Sequence, residues 1–137
     1  MAIRYLLGTN TVSYIIKGHP LRVRQHLLRV PAEQIAISVI TEAELRFGAA
    51  KKVGAVNLKM AVEEFLRRIA ILPWDSEAAQ RYAELPVEIE RTGRPLANLD
   101  LMIAAQALAA GAILVTSDAS LRRLKQIRSE DWTRAKS

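Results

Sequence analysis

The sequence has no cysteine, which excludes disulfides and thiolate metal sites and agrees with a reducing compartment. It also lacks any stretch approaching the roughly 18 consecutive apolar residues of a membrane span, although half of its residues are hydrophobic. The apolar run in MAIRYLLGTN is too short for a signal peptide, and no small-residue cleavage site follows it. A cytoplasmic protein without a membrane partner is the expectation. Repeats, low-complexity tracts and linkers are missing too. Glycine and proline are few, at 6 and 5, and fall mostly between periodic segments, so residues 1–137 read as a single domain.

What the chain does have is positive charge. Its 20 Lys and Arg residues outnumber 14 Asp and Glu, giving a net charge of +6 and a pI near 10.1. Such an excess favours a polyanionic partner, most simply nucleic acid, through phosphate neutralisation and counterion release. The alternative at this point is a soluble domain that is merely basic.

Short apolar runs alternate with amphipathic ones. IRYLL, QIAIS and AILVT read as strands, and ILPW as a short strand or extended segment. The segment after IRYLL reads as a helix opened by Thr9 or Asn10 and ended by Gly18. Next, PLRVRQHLLRV places Leu21, Leu27 and Leu28 on one side. A helix starting at Ser38 or Thr41 carries apolar Ala43, Phe47 and Ala50, and another is amphipathic through Leu58, Val62, Phe65, Leu66 and Ile69. A longer helix is capped by Asp75, interrupted or bent at Pro86 and stopped by Gly93. DLMIAAQALAAG must be nearly buried, SDASLRRL is a short last helix, and QIRSEDWTRAKS is an exposed strand and tail. This alternation predicts an α/β fold, a parallel twisted sheet with helices on both faces in three layers. Ligands of such folds sit outside the carboxyl ends of the strands, which directs attention to Gly8, Thr9 and Asn10 and to Thr116, Ser117 and Asp118.

Three acids stand where apolar elements start or end: Glu44, Asp100 and Asp118. Glu42 and Glu44 cannot share a face at a spacing of two, and Glu44 is preferred because Ala43 and Phe47 suggest that its turn packs on the sheet. Helix capping is the simpler role for Asp100 and Asp118. Gathered at the strand ends, however, three carboxylates repel one another unless a proton or cation intervenes. Oxygen ligands without His or Cys favour Mg²⁺ or Mn²⁺ over zinc, and such a cage on a basic surface suits hydrolysis of a phosphodiester. His19 and His26 read as surface residues, and Trp74 and Trp132 as core and tail anchors.

The blocks LLGTNTVSYIIKG, ISVITEAELRFGA, PLANLDLMIAAQALAAGAILVTSD and EDW together resemble the PIN-domain ribonucleases, specifically the VapC toxins of toxin–antitoxin pairs. The resemblance covers essentially the whole chain. It implies a PIN-like fold, an Mg²⁺- or Mn²⁺-dependent endoribonuclease and an acidic tetrad, three members of which fall on Glu44, Asp100 and Asp118. The first falls on Gly8, where the family carries Asp. Thr9, Asn10, Thr116 and Ser117 match the polar residues around the acids, as phosphate contacts or supports. The resemblance therefore implies a chain that binds its metal poorly and cleaves RNA slowly or not at all. It also implies a homodimer, an RNA substrate, and a VapB-type antitoxin that lies along a groove and presents a basic side chain to the acids. The VRQHLLRV and NLKMAVEEFLRRIA helices offer apolar surfaces for such a groove, with core packing as the default reading. Arg22, Arg24, Arg29, Arg46, Lys51 and Lys52 are candidates for tracking the RNA backbone, each taken singly as a plain surface charge first. The competing reading is a non-catalytic PIN-like module that binds antitoxin or RNA. A phospho-accepting receiver domain would need an acidic pair closing the first strand, and LLGTN has none.

Overall fold

Leu6 and Leu7 are neighbours on one strand and neither is exposed at all, so the sheet that holds them is covered on both faces. The computed structural model describes residues 2–92 and 98–134. The central strand is β1 (Tyr5–Leu7), joined by β2 (Ile35–Ser38), β3 (Ala70–Leu72), β4 (Ile113–Val115) and β5 (Ser129–Glu130). Their order is β3-β2-β1-β4-β5, and every pairing is parallel. The order therefore reverses between β1 and β4, which opens a crevice at the carboxyl ends of those two strands.

Seven helices cover the sheet among the described residues: α1 (Thr9–Lys17), α2 (Leu21–Leu28), α3 (Val39–Lys51), α4 (Val56–Arg68), α5 (Ser76–Thr92), α6 (Asn98–Ala110) and α7 (Ala119–Arg122). Leu7, Ile35, Ile37 and Val115 pack with Val12, Val23, Leu45, Val62 and Leu66, so α1 to α4 cover one face. Leu6, Ala36 and Leu114 pack with Leu85, Ile103, Ala104 and Leu121, placing α5 to α7 on the other. Buried residues surround α6, as its apolar composition requires. Among the described residues no helix is long and apolar enough to cross a membrane.

Several local expectations change. The residue at the cap of α1 is Gly8, and no side chain caps that end. Thr9 lies inside the first turn instead. Gly18 ends the helix at φ 75, the left-handed conformation that glycine adopts most cheaply. On α2, Leu21 and Leu28 are 62% and 84% exposed, and Val23 is the buried residue. On α3, Ala43, Phe47 and Ala50 face outward, whereas Thr41, Leu45 and Ala49 are buried. The stripe is offset from the apolar residues that suggested it. Helix α5 runs through Pro86, because one lost backbone donor is tolerated within a helix of 17 residues. Asp75 accepts from the Ala78 amide as expected, while Gly93 lies outside the described residues.

Residues 123–134 are more tied down than an exposed strand and tail, and 135–137 lie outside the described residues. Ser129 and Glu130 pair with β4, Ile127 is buried, and Trp132 is only 2% exposed. His26 stacks on Trp132 with ring centroids 5.6 Å apart, so it is a packing partner rather than a plain surface residue. Trp74 donates to the Met102 carbonyl at 2.9 Å and meets Tyr82 edge-on.

Ser38 fixes where α3 begins, and with it the position of Glu44. Its buried hydroxyl accepts from the Ile40 amide at 3.0 Å. Ser38→Ala is expected to cost about 1 kcal/mol in urea unfolding, the usual loss for an N-cap. An unchanged midpoint would show that packing alone sets the start of the helix.

Candidate active site

Gly8, Thr9, Asn10, Glu44, Asp100, Thr116 and Asp118 line one cavity of about 220 Å³, whose apolar wall is Ile103, Leu114 and Leu121. Each polar residue arrives there for a local reason. Gly8 and Thr116 follow the last residues of β1 and β4, which are paired at Leu7 and Val115. Asp100 sits in the first turn of α6, and Asp118 caps α7, its Oδ1 accepting from the Ser120 and Leu121 amides at 2.8 and 3.2 Å. Capping and lining the cavity are thus compatible in one carboxylate. Helix N-termini around the crevice also favour negative charge. Ser117 is not among the residues that line the cavity.

Glu44 points into the cavity, while Glu42 turns away to pair with Arg46 at 2.9 Å. That separation follows from their spacing. The packing cue from Ala43 and Phe47 does not hold, since both are exposed; the buried neighbours of the Glu44 turn are Thr41 and Leu45. Thr9 Oγ1 donates to Glu44 Oε1 at 2.6 Å and lies 3.1 Å from Thr41 Oγ1. Because the single Thr9 proton goes to the carboxylate, the Thr41 hydroxyl must be the donor to Thr9. A chain from Thr41 through Thr9 thus holds Glu44. The sequence offers Thr41 only as a possible start of this helix, whereas it lies fully buried inside the first turn of α3 and supports Glu44 through Thr9. At the other side of the cavity, Thr116 Oγ1 accepts from the Asp118 amide at 3.1 Å.

The electrostatics are those of neighbouring anions. Burial first, then the Glu44 and Asp118 carboxylates, push the Asp100 carboxyl above its ordinary value. Among the described residues, no lysine or arginine lines the cavity. Among the described residues, no three acidic or histidine side chains are drawn together tightly enough to enclose one ion. The donor chemistry suits a hard divalent cation, and the β1 end of the cavity lining contributes no side chain.

That end is Gly8. Its φ of −72 and ψ of 162 are open to any residue, so no backbone conformation demands glycine. Space is tighter. A Cβ there would lie 3.0 Å from the Val115 carbonyl oxygen, which already accepts from the Gly8 amide and the Thr11 hydroxyl.

The basic residues picked out in the sequence divide. Arg46 is committed to Glu42 and Glu63, Arg24 donates to the Ile15 carbonyl, and Lys51 lies over the Phe47 ring. Arg22, Arg29 and Lys52 have no ion-pair partner among the described residues.

A family profile described as the PIN domain matches residues 5–127, from the first residue of β1 to the turn before β5. The chain belongs to the PIN domain family. Within it, the chain is 33% identical over 131 residues to the "tRNA(fMet)-specific endonuclease VapC" of Salmonella typhimurium, covering 95% of this chain and 98% of that one. The crystal structure of VapBC2 from Rickettsia felis bound to a promoter DNA fragment superposes with a TM-score of 0.86 at 34% identity, covering 95% and 99% of the two chains. DNA-bound VapBC from Salmonella typhimurium gives 0.86 at 33% identity, covering 95% and 98%. This PIN domain is therefore of the VapC type, and its parallel sheet with helices on both faces is the fold of those structures.

Proposed function

We propose that this PIN domain is the toxin of a toxin–antitoxin pair and an Mg²⁺- or Mn²⁺-dependent endoribonuclease by descent, with its own catalysis impaired at Gly8. The observation that carries this reading is the convergence of Glu44, Asp100 and Asp118 on one cavity whose remaining wall is a residue without a side chain. Relatives of near full-length similarity are named ribonucleases, and the Salmonella relative is named for tRNA(fMet), which makes transfer RNA the first substrate to test.

Glu44, Asp100 and Asp118 would hold the cation. When bound, it supplies activation of water and offsets charge on the phosphate oxygens. The chain's own residues arrange the rest. Thr41 and Thr9 fix the direction of the Glu44 carboxylate. The α7 cap fixes Asp118. Asp100, with its raised pKa, keeps a proton to higher pH than an ordinary aspartate when no cation is present. Asn10, exposed at the rim, is placed to meet a phosphate or sugar. Incubating RNA with this chain and with Gly8→Asp, with and without Mn²⁺, tests the reading. Metal-dependent cleavage by the restored chain supports it, and cleavage by neither chain overturns it.

The antitoxin is assigned to an apolar groove of about 560 Å³ between α1, α2 and α4, lined by Ile15, Ile16, Leu27, Leu28, Phe65 and Ile69 and edged by Arg24, Arg68 and Glu64. Two neighbours of similar structure are complexes of VapC with VapB. Leu28 lies in this groove at 84% exposure, so Leu28→Glu should leave the fold intact while weakening antitoxin binding about tenfold or more, read by calorimetry. Unchanged affinity would move the partner elsewhere. A second copy of the chain is assigned to the exposed apolar side chains around the turn from α3 to α4, Phe47, Val53, Val56 and Met60.

A further inference from the structure

Beside the acidic cavity, and sharing Thr9 and Glu44 with it, lies a second cavity of about 210 Å³ between α1, α3 and α4, with Leu45, Leu58 and Val62 in its apolar lining. Thr9, Ser13 and Lys17 follow one another along α1 at intervals of four, and Glu44, Gly48 and Lys52 do the same along α3 and its end. Residues four apart share a helix face, so the two columns form the walls of a trough. Its acidic end is the candidate active site. Its basic end, eight residues away, is about 12 Å further along the helices.

We propose that this trough is a second phosphate subsite, in which Lys17 and Lys52 hold a phosphate of the same RNA strand that the acidic cavity would cut. The inference rests on the ribonuclease reading above. Both lysines are exposed and neither has an ion-pair partner among the described residues, whereas Arg46, Arg67 and Arg68 nearby in the chain are engaged with glutamates. A lysine at each helix C-terminus complements the dipole, but the dipole does not require both to line one cavity. Gly48 gives independent support. It lies in a helix interior, where glycine costs about 1 kcal/mol relative to alanine, yet a Cβ there would meet nothing within 4 Å. Neither backbone nor packing asks for glycine at that point, and its effect is to keep the trough open. A protein segment leaving the apolar groove at Ile16, which borders both cavities, would meet the same lysines only if it were acidic. RNA carries the complementary charge on every unit.

The test is fluorescence anisotropy with a short labelled single-stranded RNA in EDTA, so that nothing is cleaved. Lys17→Ala/Lys52→Ala is expected to weaken binding and to reduce the slope of log affinity against log salt by about 0.7 for each phosphate that is no longer neutralised. Gly48→Leu fills the trough and should weaken binding as well, with a melting temperature equal to or above that of the parent chain. Affinity and slope unchanged in the double variant would overturn the inference, and would be the result if the trough seats a protein segment instead. A parent chain that binds no RNA defeats the ribonuclease reading and this subsite together, whereas parent binding that ignores both variants defeats the subsite alone.

Discussion

Replacing Gly8 with aspartate is expected to raise Mn²⁺-dependent RNA cleavage at least about 10- to 100-fold over this chain, because that is the loss typical even of residues that only orient a metal ligand. The backbone at Gly8 already has the conformation that an aspartate needs. The obstacle is the Val115 carbonyl, 3.0 Å from the new Cβ and bound on both lone pairs, so the end of β4 must shift slightly to admit the side chain. That crowding should cost about 1–3 kcal/mol of stability. Gly8→Ala adds the same Cβ without the carboxylate. It should therefore share the stability loss and gain no cleavage. Activity gained by alanine as well would mean that position 8 acts through packing, and the missing-ligand account would fail.

Asp100→Asn is expected to have opposite effects on stability and on catalysis. In EDTA the substitution removes one of three mutually repelling carboxylates and should raise the melting temperature at neutral pH. The sign follows from the pKa. Burial and the two neighbouring anions hold the folded-state value above the unfolded one, so the protonated group favours the fold below the unfolded pKa, and that stability is lost as pH rises through the folded pKa. The advantage of the asparagine variant should accordingly shrink as the solution is acidified into the ordinary aspartate range. In the Gly8→Asp background the same change should abolish Mn²⁺-dependent cleavage. Lower stability at neutral pH in EDTA would show that Asp100 has a compensating partner and that the cavity is not a site of unrelieved negative charge.

Strands β1, β2 and β4 were legible because each is a short, largely buried apolar run, and the reversal of strand order between β1 and β4 then brings Gly8, Thr116 and Asp118 to one crevice. Helix faces were less legible. Phe47 and Leu28 have the composition of core residues but stand 65% and 84% exposed, and an exposed apolar patch cannot be told from an interior by composition. This offset hides the buried face of α3 from the sequence even though Glu44, on the same helix, lines the cavity. The hydroxyl chain from Thr41 to Glu44 has no periodic signature, because it joins residues 32 and 35 positions apart across two helices. His26 could not be paired with Trp132 from sequence either; only the fold brings the end of α2 to the residues after β5.

The central claim is that Gly8 leaves a divalent-cation site without one of its carboxylates. Titrating Mn²⁺ calorimetrically into this chain, Gly8→Ala and Gly8→Asp tests it without depending on the choice of RNA. The expected result is saturable binding at least about tenfold tighter in Gly8→Asp than in the other two. Equal affinity in all three chains would contradict the account.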